Sequence, residues 1–305
     1  MTTRKSSAPF LALKLLDLDA QLAPTIPRVL ASADEEAIHD MRVAMRRTRT
    51  LLKLARPVYG RFHADAVRGA FADVMRATGS LRDEEVLEEL FAGLDVADDT
   101  FAAWRLRRRA RERALRRAVL ARIEAGELDR ARAMLSALVA LPVKPARDKD
   151  VAKLARRCIE DARRGVEARR DVPTTDAIGL HDLRIAYKQL RYTAELLAEA
   201  LPADLAAMAR PAAQFQKRLG DIHDADVAIV SIGRARSLEP ATRRRVRAAL
   251  DALRAKRVRK YLDEAAGALA TNDAPSDDAP DTLPDLTPSV ASRSGKSRPS
   301  SVRRP

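Results

Sequence analysis

Two stretches of the chain carry the same charged residue types at the same spacing. "IHDMRVAMRRTRTLLKLA" begins at Ile38 and "LHDLRIAYKQLRYTAELLA" begins at Leu180. Each opens on His-Asp, then places Arg, a further basic residue and Arg again at matched intervals. On a helix turning about 100° per residue, His39, Arg42, Arg46 and Arg49 fall within roughly 80° of one another, as do His181, Arg184, Lys188 and Arg191. Each set forms a stripe about 15 Å long. Like charges at these spacings destabilise a helix by a few tenths of a kcal/mol per pair, so a helix built only for stability would interleave carboxylates. None lies on either stripe between its histidine and its last arginine, and Asp40 and Asp182 point about 100° away from the histidines they follow. Such a stripe suits a polyanion. Arginine grips phosphate oxygens bidentately, lysine acts as a point charge, and a histidine beside a polyanion is held protonated. A solvated basic face is the ordinary reading of one such helix, but its recurrence in matched positions favours a site.

A second pair of motifs accompanies the first. "MRATGSLRDEEV" from Met75 parallels "QKRLGDIHDADV" from Gln216, setting Gly79 opposite Gly220 and Asp83 opposite Asp224. Arg76 then matches Lys217, and Arg82 matches His223. The interval from His39 to Asp83 differs by one residue from that between His181 and Asp224. Asp83 and Asp224 read first as helix-starting caps, with orientation of a neighbouring Arg or His as the alternative.

The elements that must carry these residues read as helices. Leu183, Tyr187, Leu190, Ala194 and Leu197 form a 4-3-4-3 apolar seam, as do Met41, Met45, Thr48, Leu52 and Ala55; each basic stripe is centred roughly 120° from its seam. Ser32 and Glu35 suggest a capping box for the first motif helix. Residues 1 to 9 read as loose. Further helices fit from Phe10 toward Pro24, 62–78, the stretch "RDEEVLEELFAGL", 100–125 behind an Asp98 or Asp99 cap, 127–141, 150–170, 176–200, 203–219, 224–237 and 240–269. The prolines of 141–150 mark a boundary, giving two similar antiparallel helical-bundle halves, about 8–145 and 150–268, related by an approximate two-fold. Residues 271–305, rich in Pro, Ser, Asp and Thr, have little to bury and read as a disordered tail. The expected fold class is all-α.

Composition agrees. Of 305 residues, 46% are hydrophobic and only 4% aromatic, and the formal net charge is +14. That balance suits nucleic acid, polyphosphate or an anionic membrane as partner, and equally a solvated basic surface. The single cysteine, Cys158, reads as structural. Four scattered histidines give no zinc-ligand spacing, no metal or other cofactor is implied, and no apolar run reaches membrane-spanning length. The absence of a signal-type N-terminus leads to an expected cytoplasmic location.

The paired motifs, with "LGDIHDADV", resemble the CHAD family, named for its histidine-bearing α-helical domain, over roughly residues 8 to 268. The resemblance implies two four-helix-bundle-like halves about a pseudo-two-fold, with the motif histidines and basic residues lining a positive central surface. It implies binding of inorganic polyphosphate and association with polyphosphate granules. Members are often fused to, or encoded near, CYTH triphosphatase domains, so a triphosphatase or another polyphosphate-metabolising protein is an expected partner; with only nine residues before Phe10, a stand-alone member without a CYTH domain is expected. Carried over by position, the anion contacts fall on His39, Arg42, Arg46, Arg49, Arg76 and Arg82, and on His181, Arg184, Lys188, Arg191, Lys217 and His223. Arg82 departs from the pattern by standing where the second half has a histidine. The rival readings are a nucleic-acid-binding helical protein, for which "WRLRRRARERALRR" at 104–117 speaks, and a phosphohydrolase or accessory to a triphosphatase. Aromatic scarcity opposes the first. The second would need all four histidines and more acids in one site, so a binding module and not an enzyme is expected.

Overall fold

In the computed structural model, residues 5–32 and 36–272 are described. The chain runs α1 (Ser7–Leu22), α2 (Thr25–Leu30), α3 (Ala37–Leu54), α4 (Arg56–Tyr59), α5 (Arg61–Ala77), α6 (Gly79–Ala92), α7 (Asp99–Glu124), α8 (Glu127–Ala140), α9 (Val151–Glu167), α10 (Ala177–Leu196), α11 (Ala203–Ala207), α12 (Ala209–Gly233) and α13 (Pro240–Asn272). Among the described residues there is no strand, only an isolated bridge between Ser6 and Asp150. The chain is all-α. Residues up to Glu264 form one compact unit, and a second begins at Ala265; only the last residues of α13 are described within it. The rest of the expected tail, 273–305, lies outside the described residues.

Both apolar seams are core. Met41, Met45, Thr48, Leu52 and Ala55 are buried, as are Leu183, Leu190, Ala194 and Leu197, while Tyr187 is half-buried and stacks on Phe215 at 5.1 Å. The helix starts use local chemistry: Asp98 accepts from Phe101 N, Asp150 from Ala152 N, and Asp176 from Ile178 and Gly179 N, each satisfying orphan first-turn donors. Helix α3 packs against α1, α5 and α10; α10 packs against α9, α12 and α3; α6 packs against α7 and α12. The apolar clusters cross the boundary expected at 141–150. One joins α1, α3 and α5 to Tyr192, Leu196 and Leu197, and another joins Phe91, Phe101 and Trp104 to Ile232, Val246 and Leu250. The boundary segment is itself tied to residues 5–9, which are not loose: Ser7 N donates to Lys149 O at 2.9 Å, Val151 N to Lys5 O at 3.1 Å and Ala8 N to Asp148 Oδ1 at 2.9 Å.

Three local expectations are corrected. The helix of the first motif starts at Ala37 with Glu36 in the cap position, so Ser32 does not cap it; Glu35 lies outside the described residues. The helices expected at 203–219 and 224–237 are the short α11 followed by a continuous α12, which runs straight through Gly220. Asp83 and Asp224 are not caps, since both lie inside helices. The matched motifs differ locally because Thr78, at the α5–α6 junction, donates its hydroxyl to Met75 O at 3.0 Å. That i−3 bond competes with helical pairing. The matching residue in α12 is Leu219, which has no such bond to make.

Candidate functional site

The α3 and α10 stripes face each other. Arg46 Nη1 lies 3.5 Å from the Tyr192 hydroxyl of α10, and Lys53 donates to Gln189 Oε1 at 3.4 Å. A pocket of about 190 Å³ between the two helices is lined by Arg46, Arg49, Lys53, Arg68, Lys188 and Tyr192 with no carboxylate among its lining residues. Burial, then the charge of Arg46 and those of Arg184 and Arg49, pushes the Lys188 ammonium down to about 8. Burial, then Arg46, takes Arg42 down to about 10. Burial also lowers Arg184, where the attraction of Asp224 is opposed by Arg46. Arg49 is lowered by burial and by Arg68, Arg76 and Arg46. The Nε atoms of Arg49 and Arg184 are buried with no hydrogen-bond partner. A set of cations that mutually disfavour their own charge is an arrangement that an anion would relieve.

Around this centre the positions diverge. Arg42 donates to the Thr78 hydroxyl and to Met75 O at 3.3 Å. Its α10 counterpart, Arg184, packs beside Gly220, where a Cβ would come within 3.3 Å of its Nε. The charges of Asp83 and Asp224 favour the cationic forms of Arg42 and Arg184 respectively, and burial raises the Asp224 carboxyl. His181 and His223 meet, Nδ1 to Nδ1, at 3.2 Å. One ring must donate and the other accept, so at least one is neutral. Burial, then His181 and Arg184, pushes His223 down to about 4, and burial, Arg184 and Lys188 also lower His181. The protonated histidines expected beside a bound polyanion are therefore not the state of the free site. Arg82 lies near enough to Arg42 to lower it and reaches Glu85 at 3.4 Å.

Other sequence candidates stand apart. His39 is exposed. Arg76 is exposed and ion-paired with Asp73, though close enough to act on Arg49. Lys217 is exposed and lies 3.6 Å from Asp221. Arg191 is held by Glu195 at 2.7 Å. Sequence reasoning missed Lys53, although it continues the α3 stripe at the next i+4 position; the equivalent position on α10 is Glu195. Arg68 comes from α5 and carries no signal of its own, because only packing brings it to α3. Cys158 is half-buried, and burial pushes its thiol up to about 11, which keeps it out of the reactive range. His63 stands at the start of α5 against Phe62. Among the described residues no three His, Cys, Asp or Glu side chains are grouped as a metal ion would require, and no helix is long and apolar enough to cross a membrane.

An all-helical domain with two basic motif helices facing across a cationic cleft is the class that fold and site define. The family model for the CHAD domain matches residues 16–232, and the chain belongs to that family. The fold is similar to that of the CHAD domain from the plant Ricinus communis, with a TM-score of 0.65 and 21% identity over 85% of this chain and 89% of that one. It is also similar to PptA from Streptomyces chartreusis, with a TM-score of 0.63 and 17% identity over 88% of this chain and 99% of that one. At these identities the likeness is one of fold. No curated protein matches the sequence.

Proposed function

We propose that this protein binds inorganic polyphosphate on the face shared by α3 and α10, and that it is a binding module without catalytic activity of its own. The observation that carries this reading is the convergence of Arg42, Arg46, Arg49, Arg184 and Lys188, drawn from two helices, with Lys188 pushed down to about 8 by burial and by its cationic neighbours. A flexible polyanion without bases fits such a face, since it needs charge and hydrogen-bond donors and nothing to stack on. The nearby aromatics offer no platform for bases: Tyr192 is buried and Tyr187 is stacked on Phe215. The run at 104–117, the best support for a nucleic-acid partner, is largely engaged within the fold. Arg105 and Arg109 pair with Glu88, Arg108 and Arg111 with Glu84, and Arg116 with Glu85. Phosphoryl hydrolysis is disfavoured by the lack of carboxylates lining the pocket between α3 and α10, where a magnesium–phosphate site would place them. In the cell the reading puts the protein in the cytoplasm at polyphosphate granules, with a triphosphatase or polyphosphate-metabolising enzyme as a working partner. Titration with long-chain polyphosphate and with DNA of equal charge, in one buffer, tests it. Tighter binding of polyphosphate is expected; equal or tighter binding of DNA overturns the preference.

A further inference from the structure

The two stripes end differently. On α10 the last position is Glu195, which neutralises Arg191 at 2.7 Å. On α3 the equivalent position is Lys53, and Lys53 also lines a second, larger cavity of about 830 Å³. The two cavities share Lys53, Leu54 and Gln189, so they adjoin along this edge of α3 and α10. Beyond that neck the larger groove is lined by Arg56, Lys149, Lys153 and Arg157, with Leu54, Pro57, Pro145 and Leu154 among its apolar walls.

The charges of the groove are unevenly committed. Its three carboxylates have partners: Asp148 accepts from Ala8 N at 2.9 Å and from the Ser6 hydroxyl, Asp150 caps α9, and Asp161 pairs with Arg164. Arg56 is held by Asp65 at 2.6 Å. Lys149, Lys153 and Arg157 are exposed, and no carboxylate pairs with them among the described residues. They follow one another at i+4 intervals, which puts Lys153 and Arg157 on one face of α9, with Lys149 just ahead of its first turn. The start of that wall is fixed in place by the backbone bonds that tie Lys149 and Val151 to Ser7 and Lys5.

We propose that the groove between α3 and α9 is a second anion subsite, continuous with the shared face through Lys53 and Gln189. It takes the further phosphates of a chain long enough to pass that neck, with Lys149, Lys153 and Arg157 as its contacts. The inference rests on the polyphosphate reading and extends it: the site discriminates by chain length, and the bound chain leaves toward α9 and not past Glu195.

The test compares tripolyphosphate with long-chain polyphosphate, titrated over a range of salt against the wild type and a Lys149→Gln, Lys153→Gln, Arg157→Gln variant. Each lost phosphate contact lowers the slope of log affinity against log salt by about one. The slope for the long chain should therefore fall by about three, while tripolyphosphate, held on the shared face, binds as before. An Arg156→Gln, Arg163→Gln variant of the same helix alters exposed cations that do not line the groove, and should change neither ligand's binding comparably. An unchanged long-chain slope, an equal loss for both ligands, or an equal effect in the control variant overturns the subsite. Failure of the parent reading looks different: the wild type would bind neither ligand, or an Arg46→Gln, Lys188→Gln variant would bind both unchanged.

Discussion

Lys188 is the residue whose ionisation the site disturbs within reach of ordinary buffers, and its sign can be worked out. In the free protein its pKa is about 8, and a polyanion that neutralises Arg46 and Arg184 raises it. A cation whose pKa is higher in the complex contributes its full share of affinity below the free value and loses it as pH climbs above. Polyphosphate affinity should thus be flat near pH 7 and decline from about pH 8, and Lys188→Arg should remove that decline, since arginine keeps its proton throughout. A decline that persists in Lys188→Arg excludes Lys188 as its source. The histidine pair adds a separate limb at the acid end. His223 stands at about 4 and His181 is also lowered, so the free pair takes up protons only well below neutrality, whereas a bound polyanion promotes uptake earlier. Affinity should rise as pH falls below neutral toward about 4, and His181→Gln with His223→Gln should abolish that rise while leaving the alkaline limb. The stripe was legible at this scale because a helix turns by a fixed angle. The state of the histidines was not, because it depends on a contact between α10 and α12.

Helix α7 carries the most conspicuous arginine run, yet most of its named charges face inward to α6. Arg108 pairs with Glu84 at 2.6 Å, both largely buried, and lies 4.9 Å from the Trp104 ring centre. Removing one partner of such a pair strands the other charge and costs about 3 kcal/mol. Glu84→Gln should lose about that much in urea denaturation with polyphosphate affinity little changed; a variant of normal stability would mean that the pair is solvent-screened. In sequence this run reads as a solvated exterior, because its arginines circle the helix and the partners that organise them, Glu84, Glu85 and Glu88, belong to another helix. The breaks in the chain show the same limit. Asp98 was readable as a cap from local sequence, whereas the continuity of α12 through Gly220 was not. Gly220 is an interior helix position beside the Arg184 side chain, a role that only the packing of α10 on α12 reveals.

For the whole molecule, the all-α fold was legible from paired apolar seams, while the interleaving of the cores across residues 141–150 was not, because apolar periodicity says which face is buried and not against what. That interleaving sets α3 beside α10, and with them two sets of cations that repel. A ligand that binds only the folded state at a hundred times its Kd adds about 2.7 kcal/mol, so polyphosphate should raise Tm by roughly 5–10 °C at low salt, and the rise should shrink as salt increases. The central claim is that both motif helices serve one site. Isothermal titration of long-chain polyphosphate against Arg46→Gln, Lys188→Gln and an Arg107→Gln, Arg113→Gln control on the exposed side of α7 tests it most directly. The account predicts that either stripe variant alone weakens binding for the whole population at unchanged stoichiometry, and that the control, which loses more charge than either, does far less. A stripe variant that keeps half its capacity at wild-type affinity, or a control that loses as much, would contradict it.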